Sequence, residues 1–332
     1  MAQKKLKLLI FNAFSQEGLL LLQKTDLFEI KKFATLKDAP TEDIQTANAF
    51  IIRSKSLITE ELLDQAKQLQ VVVTGTSGFD HIDLEAAQKW GVTVMHCPLA
   101  NRESAAQLTW GLVLSCVHKI PQAFKNVKSG EWVHDSLKSF ELQNKTYGIV
   151  GLGRIGSRVA QLAKAFDMKV IAYDPYQEDS VYEELDVERV AYEEVLKRSD
   201  ILSFHVPKTL ETDHMLNRSH FEYIHRGIVL INSSRGSVIN ENDLCEALEN
   251  GWISMAGLDV FEKEPLSRNS RLLQLQNVVL TPHIGALSHE AFLKASQMAA
   301  HKILDFFRDG SASDSLPPKA PWYGATPHAF ED

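Results

Sequence analysis

Three side chains of this sequence sit in short motifs that could do chemistry together. Arg235 stands in Asn232-Ser233-Ser234-Arg235-Gly236, Glu264 in Asp259-Val260-Phe261-Glu262-Lys263-Glu264-Pro265, and His283 in Thr281-Pro282-His283-Ile284-Gly285-Ala286. Imidazole titrates near neutral pH, so a histidine can take the proton from a hydroxyl whose carbon loses a hydride. A carboxylate beside it stabilises imidazolium, which raises its pKa and orients the ring. An arginine fork matches the geometry of a substrate carboxylate. Singly, each residue has a bland alternative. The chain holds twelve histidines, Arg235 could cap a turn beside Gly236, and Glu264 before Pro265 could be a solvated loop acid. On successive strand ends of one sheet they read as base, partner and substrate anchor.

A second constellation precedes them. Gly151-Leu152-Gly153-Arg154-Ile155-Gly156 follows an apolar run and opens a helical pattern with Ile155, Val159, Leu162, Ala163 and Phe166 on one face. Gly151 permits the tight turn, Gly153 lets backbone approach a pyrophosphate, and Gly156 lets helix and strand pack closely. The helix N-terminus then offers free N–H groups and partial positive charge to phosphates. Asp174 closes the next strand, where a carboxylate can accept both ribose hydroxyls of NAD and would repel the 2′-phosphate of NADP. Glu178 and Asp179 add negative charge, so NAD is the expected cofactor.

These residues need elements to hold them. An amino-terminal block reads as strands Leu6–Phe11, Phe28–Phe33, Phe50–Ile52, Val71–Thr74 and Val92–Met95, with helices at Glu17–Gln23, Glu60–Leu69 and Leu84–Trp90. Short β-rich runs alternating with helical periods predict a parallel sheet covered on both faces. Asn101 is a good N-cap for a helix through Val117, apolar on most sides and expected to be buried between domains or subunits. From Thr146 a second block predicts strands Tyr147–Val150, Val170–Tyr173, Ile201–His205, Ile228–Ile231, Ala256–Val260 and Val278–Leu280, the pattern of a doubly wound nucleotide-binding sheet. A last helix near Ser288 to Phe307 is expected to return the chain to the first domain. The tail from Leu316 to Asp332 has too little periodicity to assign.

Composition narrows the class. The 332 residues suit two domains, and 44% hydrophobic with 23% charged residues is ordinary for a soluble globular protein. The net charge of -8 argues against nucleic acid as the main partner. Cys97, Cys116 and Cys245 fit neither a disulfide framework nor a zinc site, which points to no metal and to a reducing cytoplasm. The run Leu8–Phe11 is too short for a secretory signal, and no stretch approaches the ~20 apolar residues of a membrane helix.

The motifs Gly151–Gly156, Asn232–Gly236, Gly257-Leu258-Asp259-Val260-Phe261 and Thr281–Ala286 resemble the signatures of D-isomer-specific 2-hydroxyacid dehydrogenases. Within that family, the stretch from Gly91 to Asp174 looks most like D-3-phosphoglycerate dehydrogenases. The resemblance implies a discontinuous flavodoxin-like substrate domain, residues 1–99 and 288–332, and a Rossmann NAD domain, residues 100–287, with the active site in the cleft between them. It implies that Arg154 and Ile155 lie on the pyrophosphate, Val206 beside the adenosine, and Ser233, Ser234 and Asp259 near the nicotinamide, with Gly285 and Ala286 also at the cofactor. Ser77 and Gly78, in Gly75-Thr76-Ser77-Gly78-Phe79-Asp80, would offer backbone N–H groups to the substrate carboxylate, with Ser77 also against the cofactor. Arg53 would reach the distal end of the substrate. The family implies a homodimer or homotetramer built on the NAD domain, to which the apolar helix after Asn101 would contribute.

Two departures bear on the substrate. The phosphoglycerate members carry an arginine where this chain has Thr74, which would offer only a hydroxyl, and Trp132-Val133-His134-Asp135 is less basic than its counterparts. Oxidation of 3-phosphoglycerate, a step of serine biosynthesis, is the first expectation. Reduction of hydroxypyruvate, glyoxylate or another 2-keto acid is the second, and a non-catalytic NAD-sensing co-regulator is the third. The length leaves no room for a C-terminal amino-acid-sensing domain of the long phosphoglycerate dehydrogenases, so serine feedback is not expected.

Overall fold

The structure, a computed structural model, describes residues 5–323. The chain divides into two compact units. One takes the described residues through Arg102 together with Ala286–Tyr323, and the other takes Glu103–Gly285. The last nine residues expected in the first domain, 324–332, lie outside the described residues.

The first unit runs β1 (Leu6–Phe11), α1 (Gln16–Gln23), β2 (Phe28–Phe33), α2 (Thr41–Thr46), β3 (Ala49–Ile52), α3 (Glu60–Gln65), β4 (Val71–Thr74), α4 (Leu84–Lys89) and β5 (Thr93–His96). These five strands are all parallel, in the order β2-β1-β3-β4-β5. That is the flavodoxin-like order, and its ligands bind beyond the carboxyl ends of the strands. β3 and β4 are buried along their whole length, as a sheet covered on both faces requires. Ser15, Thr59 and Asp83 each accept a backbone N–H at a helix start, the capping that their residue types favour. The predicted helix Glu60–Leu69 stops at Gln65, because Ala66 turns out of helical geometry with ψ 61°.

The second unit continues with α5 (Arg102–Val117), α6 (Ile120–Lys128), β6 (Thr146–Val150), α7 (Arg154–Ala165), β7 (Lys169–Tyr173), α8 (Asp179–Leu185), β8 (Glu188–Arg189), α9 (Tyr192–Arg198), β9 (Ile201–Phe204), β10 (Ile228–Asn232), α10 (Glu241–Glu249), β11 (Ile253–Leu258) and β12 (Val278–Leu280). Its seven strands are parallel, ordered β12-β11-β10-β9-β6-β7-β8. The order reverses between β6 and β9, the switch point of a Rossmann sheet. β8, two residues long, had no readable sequence pattern. The helix after Asn101 corrects an expectation. Ala106, Trp110, Leu112, Val113, Cys116 and Val117 of α5 join Tyr147, Ile149 and Val159 in the core of their own unit, where Trp110 stacks on Phe166 at 4.6 Å. Asn101 caps nothing, since its Oδ1 is buried without a partner.

The chain returns to the first unit through α11 (His289–Asp309), whose Ala295, Ala299, Ala300 and Ile303 enter its core. The tail that sequence left unassigned adds β13 (Ser315–Leu316), antiparallel to β5.

Candidate active site

The glycine loop between β6 and α7 shows why each glycine is there. Gly151 has φ 92°, and a Cβ on it would lie 2.8 Å from the His205 carbonyl oxygen and Val206 Cγ1. A Cβ on Gly156 would sit 2.0 Å from the Gly151 oxygen, whereas one on Gly153 would meet nothing within 4 Å. Two glycines therefore allow packing, and the third leaves free the space that a pyrophosphate would occupy. Arg154, exposed, and Ile155, half-buried, open α7. Asp174 follows β7 and accepts Leu152 N–H at 2.9 Å and Tyr176 N–H at 3.0 Å. Burial pushes its carboxyl up, partly offset by those two N–H groups. The loop geometry and the donor set fit a dinucleotide. Beside them Tyr176 donates to Glu211 at 2.6 Å, so the acidic character expected after Asp174 extends to a second carboxylate, which lay too far along the sequence to be suspected.

Three strand ends assemble the reactive groups. At the end of β10, buried Asn232 accepts both the N–H (3.0 Å) and the hydroxyl (2.8 Å) of Ser234, and its own Nδ2 donates to the Arg235 oxygen. Ser233 shares a 2.8 Å bond with Thr109, whose hydroxyl also reaches Ala105 O. Gly236 then crosses the next loop so closely that a Cβ would fall 1.9 Å from the Phe261 carbonyl carbon. This approach brings the Arg235 turn against the loop after β11. Arg235 donates to its neighbour Ser234 O at 2.8 Å, and its charge acts on both Glu264 and His283.

After β11, Asp259 is fully buried. Its Oδ1 accepts Thr281 Oγ1 at 2.6 Å and Ile284 N–H at 2.8 Å, and its Oδ2 accepts Gly285 N–H at 2.9 Å. The three bonds shape the loop after β12, on which His283 takes φ 54° and donates its N–H to Asp259 O at 2.8 Å. His283 Nδ1 faces Glu264 Oε2 at 2.7 Å, and Glu264 Oε1 accepts Phe261 N–H at 3.2 Å. The bond and charge of Glu264 hold His283 above the usual histidine range against the opposing pull of burial. Burial pushes the Glu264 carboxyl up, but His283, the Phe261 N–H and Arg235 outweigh it and keep it below the usual range. The pair thus couples an imidazole to a carboxylate fixed beside it, an arrangement able to hold and release a proton.

In the first unit, Arg53 follows β3, and Ser77 and Gly78 follow β4. Asn12 Oδ1 accepts Arg53 N–H at 3.3 Å, and the guanidinium lies over the Phe292 ring at 5.4 Å. Burial lowers its pKa, and no carboxylate among the described residues pairs with it. Thr74 corrects the expectation that it offers a hydroxyl to a ligand. It is fully buried, with Oγ1 2.6 Å from Thr76 Oγ1 and 3.0 Å from His81 Nε2.

Comparison with known proteins shows the family. Residues 110–285, more than half of the chain, match the D-isomer specific 2-hydroxyacid dehydrogenase NAD binding domain. The chain belongs to the D-isomer specific 2-hydroxyacid dehydrogenase family. It is 38% identical over 303 residues to the D-3-phosphoglycerate dehydrogenase of Methanocaldococcus jannaschii, covering 91% of this chain and 57% of that one. It is 36% identical over 325 residues to the glyoxylate reductase of Thermococcus litoralis, covering 95% and 96%. Among solved structures, the D-lactate dehydrogenase of Aquifex aeolicus, complexed with NAD and lactic acid, superposes with a TM-score of 0.80 at 31% identity over 91% of this chain and 96% of that one. The chain thus spans little more than half the length of the phosphoglycerate dehydrogenase it matches.

For this 2-hydroxyacid dehydrogenase fold, the residues without an assigned role in the sequence are the ones that shape the loops. Asn232, Gly236 and Thr281 stand inside the quoted motifs but had no role given to them, and Thr109, which bonds Ser233, lies outside every motif. Of the residues expected at the cofactor, Gly285 closes the second unit and Ala286 opens the last segment of the first.

Proposed function

We propose that the protein is an NAD-dependent D-2-hydroxyacid dehydrogenase that carries a hydride between nicotinamide C4 and C2 of a small 2-hydroxy or 2-keto acid. The observation that carries this reading is the 2.7 Å His283–Glu264 pair beside Arg235 in the NAD-binding unit. NAD, when bound, supplies the hydride acceptor. In oxidation His283 takes the hydroxyl proton as C2 loses its hydride, and in reduction imidazolium returns that proton to the carbonyl oxygen. Glu264 stabilises the imidazolium and Arg235 orients the substrate carboxylate. Gly151, Gly153, Arg154, Ile155 and Gly156 are assigned to the pyrophosphate, Asp174 to the ribose and Val206 to the adenosine. Ser233, Ser234, Asp259, Gly285 and Ala286 are assigned to the nicotinamide side. Ser77 and Gly78 offer N–H groups to the substrate carboxylate, and Arg53 takes the distal end of the substrate.

The first substrate reading is 3-phosphoglycerate, in a step of serine biosynthesis, on the similarity to phosphoglycerate dehydrogenases. A second reading, reduction of hydroxypyruvate or glyoxylate, draws on Thr74, whose buried hydroxyl is already engaged by Thr76 and His81. The similarity to a glyoxylate reductase over 95% of this chain is in keeping with it. Initial rates with NADH and a panel of phosphorylated and unphosphorylated 2-keto acids test both. No consumption of NADH with any of them would sink the assignment.

Assembly through the second unit, as a homodimer or homotetramer, is part of the same proposal. Ile120, Phe124 and Val127 of α6 and the following Trp132 and Val133 are exposed, Trp132 at 83%, more apolar surface than a solitary helix face normally leaves in water. A reducing, cytoplasmic location is supported by the free state of the buried Cys97, Cys116 and Cys245. No described helix is long and apolar enough to cross a membrane.

A further inference from the structure

The segment Thr76–Phe79 after β4 has an unusual hydrogen-bond pattern. Three consecutive carbonyls are each held by a donor of the first unit. Thr76 O accepts Cys97 N–H at 3.0 Å, Ser77 O accepts His96 Nδ1–H at 2.8 Å, and Gly78 O accepts the Thr76 hydroxyl at 2.7 Å. In a trans peptide the C=O and the following N–H point in opposite directions. Fixing these three carbonyls therefore fixes the N–H groups of Ser77, Gly78 and Phe79 on the other side, and none of the three donates to an acceptor among the described residues. Successive N–H groups left open in a half-buried turn form a concavity suited to an anion.

Two of the three holding donors come from one place. His96 ends β5 and is the register partner of Thr74 at the end of β4, and Cys97 follows it. The His96 ring is buried and meets the Phe79 ring edge-on at 5.6 Å. Because a carbonyl oxygen can only accept, Nδ1 carries the proton in this contact. The ring thus grips the peptide unit whose N–H belongs to Gly78, from behind and through a rigid β-strand. Thr74, Thr76 and His81 brace the same turn from the β4 side.

We propose that His96 is a positioning residue for the substrate carboxylate. Through its Nδ1–H bond to the Ser77 carbonyl it preorients the Gly78 N–H of an anion cradle, so that the carboxylate meets donors already in place. The inference rests on the dehydrogenase reading above and deepens it, since it gives His96 its effect through the peptide it holds. Losing its bond leaves a buried carbonyl without its donor and frees the peptide to rotate, which weakens the carboxylate contact in ground and transition states alike. Such a loss appears in KM and leaves kcat largely unchanged.

The test compares the full-length protein with His96→Leu, which removes the donor, and His96→Asn, whose amide can restore an N–H to the Ser77 carbonyl. Initial rates are measured with glyoxylate and with hydroxypyruvate, inhibition with oxalate, and NADH affinity by fluorescence. In His96→Leu the KM for the keto acid and the inhibition constant of oxalate should both rise roughly tenfold, about the factor of one buried hydrogen bond. The turnover number should stay within about threefold and NADH affinity should not change. His96→Asn should recover most of the loss, which a purely structural defect would not. If His96→Leu does not fold, His96→Asn with Thr76→Val, which frees the Gly78 carbonyl, gives the same comparison. Unchanged KM and oxalate inhibition in an active variant, or a fall in kcat alone, would overturn the role of His96 while leaving the dehydrogenase reading intact. A wild-type protein that neither reduces these keto acids nor binds oxalate would remove both.

Discussion

His283 is held at both ends, its ring by Glu264 through a 2.7 Å bond and its main-chain N–H by the Asp259 carbonyl at 2.8 Å. The second contact places the ring and the first sets its proton affinity. Since the Glu264 bond raises the His283 pKa, imidazolium persists to higher pH than in a free histidine, and reduction consumes imidazolium. Glu264→Gln keeps the size and removes the charge. The alkaline limb of the reductive kcat/KM profile should therefore move to lower pH, while the oxidative profile, which needs neutral imidazole, should extend toward acid. Profiles identical to wild type would take Glu264 out of the mechanism.

Asp174, the residue proposed for the ribose, also accepts Leu152 N–H of the glycine loop. Replacing it with Ala should narrow the preference for NADH over NADPH, by relieving repulsion of the 2′-phosphate. The same change should raise the KM for NADH by up to roughly tenfold, because a loop N–H loses its acceptor. Comparing kcat/KM for the two cofactors in wild type and variant checks both effects. Equal use of the two cofactors by the wild-type protein would contradict the role given to Asp174.

Gly236 makes the closest backbone crossing in the candidate site, with a Cβ position 1.9 Å from the Phe261 carbonyl carbon. Gly236→Ala cannot be accommodated by moving a flexible side chain, so the Arg235 turn and the Glu264 loop must separate. Overpacking of this kind costs typically 1–3 kcal/mol. A lower melting temperature and a marked loss of kcat/KM are expected together. Full activity at an unchanged melting temperature would mean that this crossing does not set the Arg235–Glu264 geometry.

Arg53 is the strongest candidate for the distal end of the substrate, and Thr74 adds no donor there. A phosphate is best held by several arginines or N–H groups. Selectivity for phosphohydroxypyruvate over hydroxypyruvate, read as a ratio of kcat/KM, should be modest and should fall further in Arg53→Ala. A preference of several thousandfold in the wild-type protein would point to a cation supplied from elsewhere, such as a neighbouring subunit.

Much of this arrangement was legible in the sequence. Strand β3 is a continuous apolar run, and β4, β9 and β10 are interrupted only by Thr74, Ser203 and Asn232. Gly151 and Gly156 betray their loop because neither has room for a Cβ, while Gly153 leaves its own side of the loop open. The residues around His283 were harder to read. Asp259 binds Thr281, Ile284 and Gly285, and Asn232 binds Ser234 and Arg235, through contacts whose meaning depends on loop conformation rather than on spacing. The burial of α5 was assigned to the wrong partner because periodicity says that a face is covered and never by what. Thr74 shows the same limit, since its hydroxyl looked available until the fold supplied His81.

The central claim is that His283 moves the substrate proton in a hydride transfer to or from NAD. It is tested most directly by following NADH absorbance with hydroxypyruvate and glyoxylate in wild type and His283→Ala, with NADH binding measured in parallel. Wild type should consume NADH, and the variant should bind NADH with similar affinity while its kcat falls by roughly 10²–10⁴, the contribution of general acid–base catalysis. A variant that turns over at the wild-type rate would contradict the account.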